Sequence, residues 1–168
     1  MKYPTVRFTP QDFLEAERHE EKMSARRGMS KIKAYVVPKP NLVGYLGELA
    51  FERYLLALEI AFTKPPEHTG KTGDAYDFLC GQDKLDVKTT MKYDEILIDA
   101  HSAGKAVDEN TWLVLVRITN EVAELRGYQH SSYLQRASDK DFPFKDYIRK
   151  MYRIPQSLLI PFKKIINL

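Results

Sequence analysis

Between Gly73 and Thr90 the chain carries Asp77, Asp86 and Lys88, with the turn-forming pair Gly81-Gln82 between the first two. These are groups that can act on a phosphodiester. Side chains alternate along a strand, so Asp86 and Lys88 share one face while Leu85 and Val87 point to the other. If Tyr76–Cys80 and Lys84–Thr89 form a hairpin, a two-residue turn sets Asp77 opposite Asp86, and a four-residue loop sets it opposite Lys88. Either register gathers Asp77, Asp86 and Lys88 on one side; a three-residue loop does not.

Two carboxylates brought close together repel unless a positive charge lies between them. Oxygen donors with room for water suit a hard divalent cation, Mg²⁺ or Mn²⁺, better than zinc. Such an ion polarises a phosphoryl oxygen and acidifies a bound water, and Lys88 can orient that water or balance charge in the transition state. The plainer alternative is an exposed strand face on which Asp86 and Lys88 form an ion pair. Cys80 is the only cysteine, which excludes an intrachain disulfide or a thiolate cluster. His101 and His130 form no ligand pair and read as ordinary polar residues. Lys71, in Thr69-Gly70-Lys71-Thr72, lacks the upstream glycine and the preceding strand of a phosphate-binding loop.

The elements needed to hold these groups are legible around them. Leu46, Leu49, Ala50, Phe51, Tyr54, Leu55 and Leu58 recur at helical spacing, so the segment from Asn41 reads as an amphipathic helix with Glu48 beside its apolar stripe, near one end. Thr9-Pro10-Gln11-Asp12 opens an earlier, charged helix running to Arg27. Pro38 and Pro40 mark a loop before the second helix, and Pro65-Pro66 another before the hairpin. Ile96–Ile98 reads as a short strand, Trp112–Ile118 as a central one, and Val122–Tyr128 as its return. A short helix from Ser131 or Ser132 to Ala137, a helix over Phe144–Met151, an edge strand at Tyr152–Ile154 and a turn capped by Ser157 complete the reading. The expected organisation is a single α/β domain over 1–168, with an N-terminal helix and loop at 1–40, a catalytic core at 41–128 and C-terminal helices and an edge strand at 129–168.

The chain has 168 residues, 43% of them hydrophobic, which suits one compact domain. No apolar run approaches a membrane span, and the N-terminus lacks the apolar segment of a secretion signal. A soluble, cytoplasmic protein is expected. Lysine and arginine number 26 against 23 acids, a formal charge of +3. Basic residues cluster at Arg26, Arg27, Lys31 and Lys33, and again at Lys140, Lys145, Arg149, Lys150, Arg153, Lys163 and Lys164, flanking the acidic centre in a way that suits a phosphate backbone.

Glu48 within Gly47–Tyr54, Tyr76-Asp77-Phe78, and Leu85–Thr90 together resemble the PD-(D/E)xK nuclease superfamily, the restriction-endonuclease-like fold, over residues 41–128. The resemblance implies an αβββαβ core with a mixed central sheet flanked by helices, and a Mg²⁺-dependent phosphodiesterase. It assigns Asp77 as the first acid, Asp86 as the second, Lys88 as the lysine and Glu48 as the helix glutamate, with Asp77, Asp86 and Glu48 toward the metal. Tyr76 replaces the motif proline, and Asp74 competes with Asp77 for the first position. The expected activity is endonucleolytic cleavage of DNA leaving 5′-phosphate ends. The superfamily also includes exonucleases and Holliday-junction resolvases, among them prokaryotic and viral enzymes. A resolvase implies a homodimer, for which the helix at 10–27 and the apolar tail Leu158–Phe162 are candidate interfaces. Retention of the fold by a non-catalytic nucleic-acid-binding domain is the reading from another class. Gln129 and Tyr133 formally match a Gln-x-x-x-Tyr element of helicase-associated exonucleases, though they follow a later strand than that element does. Tyr93, Tyr128 and Tyr133 are candidates for stacking on bases.

Overall fold

The computed structural model describes residues 3–27, 40–65, 76–136 and 151–162. Strand β1 (Thr5–Arg7) leads into helix α1 (Pro10–Arg27). Thr9 and Asp12 cap this helix reciprocally: the Asp12 N–H donates to Thr9 Oγ1 at 3.3 Å, and the Thr9 N–H donates to Asp12 Oδ2 at 2.7 Å. Helix α2 (Pro40–Ala57) has proline at its first position. It takes its cap from α1, where Glu20 Oε2 accepts from the Leu42 N–H at 2.8 Å. Arg53 of α2 in turn grips Asp12 with both guanidinium ends, at 3.0 and 2.5 Å. The charged helix therefore docks on α2, and Ala16 is fully buried.

The main sheet holds β2 (Phe78–Cys80), β3 (Asp83–Thr90), β5 (Trp112–Thr119) and β6 (Val122–His130) with β1, in the order β1-β6-β5-β3-β2. Only the β3–β5 pair is parallel. Between those two strands the chain makes β4 (Ile96–Asp99) and helix α3 (Ala100–Asp108). Strands β7 (Gln135–Arg136) and β8 (Met151–Ile154) join β4 in a second sheet of order β4-β8-β7. The architecture is thus mixed α/β, with a mixed five-stranded sheet between two layers.

Each face of the main sheet has its own core. Val87, Val114, Val116, Ile118, Ala123 and Leu125 pack against the apolar stripe of α2 through Leu46, Ala50, Phe51 and Tyr54. On the opposite face Leu113 and Leu115 pack against Ile96 and Ile98 of β4, Ala103 and Ala106 of α3, and Ile154 of β8.

The structure departs from the sequence expectations in several places. Residues 100–108 form a helix that no residue pattern marked, at the place where the αβββαβ succession implies one. Glu48 lies midway along α2, whose start falls at Pro40. Ser131 opens a single 3₁₀ turn, Ser131–Tyr133, followed by β7 in place of a helix to Ala137; Ser157 sits within the turn Gln156–Leu158, whose cap position is Pro155. Strand β8 lies in the middle of its sheet, not at an edge, because β4 and β7 pair on either side of it. The tail also turns inward: Leu158 and Leu159 pack on the α3 side, Phe162 packs against Phe51, Tyr54 and Tyr128, and Ile160 exchanges backbone hydrogen bonds with Tyr128. Among the described residues no helix is long and apolar enough to cross a membrane. The helix expected at Phe144–Met151 begins outside them, and its last residue, Met151, opens β8.

Candidate active site

The hairpin adopts the two-residue turn. Cys80 pairs with Asp83, Leu79 with Lys84 and Phe78 with Leu85, and Gly81 takes the left-handed φ of 62° that such a turn demands. One further step along this register sets Asp77 across from Asp86. There the ladder turns irregular. The Asp77 N–H donates to Leu85 O at 2.8 Å, and the Val87 N–H donates to Asp77 Oδ2 at 2.7 Å. The Asp77 side chain thus takes the place of a main-chain acceptor just before β2 begins, and β3 continues past it to Thr90.

Asp86 and Lys88 share the face that also carries Leu113 and Leu115, their partners on β5. Lys88 Nζ lies 2.7 Å from Asp86 Oδ2, and both side chains are largely shielded from solvent. The ion pair foreseen as the plainer alternative is therefore present, but it is sheltered and adjoins a second acid. Burial pushes the Asp77 carboxyl well above the usual carboxylate range. Glu48 and Asp86 push it further the same way, opposed by Lys88 and the Val87 N–H. Burial pulls the Lys88 ammonium down, yet Asp86 overrides it through charge and hydrogen bond, and Asp77 and Asp99 add to the effect, so its pKa is raised.

Glu48 lies on α2, the helix packed on the sheet face opposite to the one that carries Asp86 and Lys88, and its charge acts on Asp77. Above β3, α2 comes down on Thr89, whose Oγ1 is buried without a hydrogen-bond partner. A Cβ added at Gly47 would fall 1.8 Å from that oxygen. Only glycine permits this approach, and the next residue is Glu48, half-buried and near enough to Asp77 to weigh on its charge. Glu52, one turn on, is engaged elsewhere, 2.6 Å from Lys64 Nζ.

Sequence reasoning missed Asp99. It ends β4 and caps α3, its Oδ1 accepting from the Ser102 N–H at 2.9 Å. The available signal was an aspartate at the close of a strand, a residue type that caps helix starts. The remaining candidates lie apart or outside the described residues. His130 stacks edge-on against Trp112 and caps the Ser131–Tyr133 turn. His101 is exposed in the first turn of α3. Gln129 is buried on β6 and donates to Leu158 O at 2.6 Å. Tyr128 packs against Trp112 and Phe162, while Tyr133 is exposed. Asp74, Lys71, Lys31, Lys33 and most of the C-terminal basic cluster fall outside the described residues; Arg153 lies within them, 3.7 Å from Glu95.

Asp77, Asp86 and Glu48 are the oxygen donors that could hold a metal. Among the described residues no three acidic, histidine or cysteine side chains form a ready cage; Asp86 is turned onto Lys88 and Asp77 onto the Val87 N–H. Comparison with protein families, curated proteins and solved structures finds no match.

Proposed function

We propose that this protein is a Mg²⁺-dependent nuclease that hydrolyses DNA phosphodiester bonds as an endonuclease, leaving 5′-phosphate ends. One observation carries the reading: Asp77, Asp86 and Lys88 converge where the β2–β3 hairpin opens, with Glu48 of α2 close enough to raise Asp77. A surface ion pair needs neither a buried second acid nor a third one on a helix that meets the sheet through a glycine. The succession α2-β2-β3-β4-α3-β5 supports a restriction-endonuclease-like core, with the difference that β4 pairs with β8 and not within the main sheet.

The donor set is all oxygen, and the burial that disfavours the Asp77 charge is what a divalent cation relieves. Asp77 and Asp86 would hold the ion, with Glu48 joining directly or through water. When bound, Mg²⁺ or Mn²⁺ supplies polarisation of a phosphoryl oxygen and acidification of water. The chain's own residues do the remainder. Lys88, anchored beside Asp86, orients the attacking water and offsets negative charge building on the phosphate. The two cores clamped by α2 and α3 hold these groups on rigid elements, so little reorganisation accompanies reaction.

The test is a substrate panel of linear duplex, single strand, circle and four-way junction, in Mg²⁺ and in chelator, with the chemistry of the product ends determined. Metal-dependent cuts ending in 5′-phosphate are expected. Cutting confined to the junction reassigns the protein as a resolvase, digestion only from ends as an exonuclease, and binding without cleavage as a non-catalytic domain.

A further inference from the structure

Leu113 and Leu115 of β5 face the α3 layer, and Arg117 follows them on that face, where Thr90 of β3 is its direct cross-strand partner. Lys88 precedes Thr90 on the same face by two residues, roughly 6.6 Å along the strand. Beyond β3 the chain turns, and Thr90 Oγ1 accepts from the Lys92 and Tyr93 N–H groups at 3.2 and 2.9 Å, which leaves its own proton to donate. The turn brings in Asp94, whose Oδ1 accepts from Arg117 Nη1 at 2.7 Å and from Arg126 Nη2 of β6 at 2.8 Å. Arg126 is held on two further sides: its Nη1 donates to Glu124 Oε2 at 2.9 Å, and its guanidinium lies 4.1 Å over the Tyr3 ring. Arg117 has only a share in one carboxylate. Its Nη2 meets no partner among the described residues, and its side chain keeps 30% of its exposure. A clamp built for stability alone would spend such donors.

We propose that Arg117 binds a phosphate of the substrate backbone next to the one attacked beside Lys88, with Asp94 and Arg126 holding its guanidinium in place. The inference rests on the reading above in one respect, that the substrate is a phosphodiester chain. A guanidinium meets phosphate oxygens as a fork, and Arg117 has one end of the fork tied and the other open. The Thr90 hydroxyl stands beside it as a neutral donor. The two-residue step from Lys88 is close to the step between neighbouring phosphates of one strand, so a backbone laid across β3 and β5 touches both. Such contacts set the register of a nucleic acid without reading its sequence.

The experiment is binding of a labelled linear duplex, followed by fluorescence anisotropy in chelator over a series of salt concentrations. Wild type is compared with Arg117→Gln, Arg117→Lys and Asp94→Asn, each first shown to be folded. Arg117→Gln should bind about ten-fold more weakly at low salt, and the slope of log affinity against log salt should fall in magnitude by about 0.9, the share of one phosphate contact. Arg117→Lys keeps the charge and should keep the slope. Asp94→Asn breaks the same ion pair but spares the cation, so it should bind at least as tightly as wild type with a slope no smaller. Where Arg117→Gln does not fold, the sign of the Asp94→Asn effect decides. Equal weakening by Arg117→Gln and Asp94→Asn, or a slope that Arg117→Gln leaves unaltered, makes the network purely structural and overturns the proposal, as does wild-type protein that binds no duplex. Metal-dependent cleavage with an unaltered slope leaves the nuclease reading standing and this role refuted; a slope that depends on Arg117 in a protein that never cuts does the reverse.

Discussion

Gly47 of α2 lies directly against Thr89 of β3, so close that a Cβ at position 47 would sit 1.8 Å from the threonine oxygen and 2.9 Å from its Cβ. Thr89 is the neighbour of Lys88, and Gly47 the neighbour of Glu48. The contact therefore fixes the depth at which the helix acid is delivered to the hairpin acids.

Gly47→Ala should accordingly harm both stability and activity. Thr89 is β-branched and cannot swing aside, so α2 must lift. Overpacking of this kind costs about 1–3 kcal/mol, measurable by urea unfolding. A displacement near 1 Å at Glu48 should lower cleavage by about 100-fold. Thr89→Ala in the same protein should recover part of both losses, because it removes the nearest atom.

Thr89→Val tests the same contact with the opposite sign. The buried hydroxyl has no partner, and a buried donor left unsatisfied costs about 1–3 kcal/mol. Valine keeps the branched shape without that group. The variant should melt no lower than wild type, and stabilisation of about 1 kcal/mol is expected.

Asp77 gives a pH dependence of definite sign. Its carboxyl is raised above the ordinary 3.8 by burial, then by Glu48 and Asp86. The folded state thus holds the proton more tightly than the unfolded chain does. The associated stability is fully present below 3.8 and is lost as pH rises through the folded pKa. In chelator, wild type should lose stability from about pH 4 toward neutrality, while Asp77→Asn, which still offers an acceptor to the Val87 N–H, should show a flatter profile and be the more stable protein at neutral pH. Added Mg²⁺ should stabilise wild type more than the variant.

The core of the site was legible because its cues are local. The spacing from Leu46 to Leu58 dictates one helical face, and the two hairpin registers left open by the sequence, of which the two-residue turn is the one adopted, both set Asp77 on the side of Asp86 and Lys88. Helix α3 was implied only by the αβββαβ resemblance and not by its own residues, since its buried ones are Ala103 and Ala106, with Gly104 between them; small residues leave no apolar stripe to read. Asp99 was lost with it. The pairing of β4 with β8 joins segments some fifty positions apart along the chain, and no period in either segment encodes such a partner. The depth of Gly47 over Thr89 is equally silent in the sequence, because a glycine in a helix does not announce what it lies against.

The central claim is that Asp77, Asp86, Lys88 and Glu48 form one metal-dependent catalytic centre. The most direct measurement is the nicking rate of a closed circular duplex in Mg²⁺ by wild type, Asp86→Asn and Lys88→Met, each first shown to be folded. Wild type should cut, and each variant should be slower by more than the about 100-fold that loss of an outer partner of a metal site costs. Equal cutting by all three proteins, or cutting undiminished by chelator, would contradict the account.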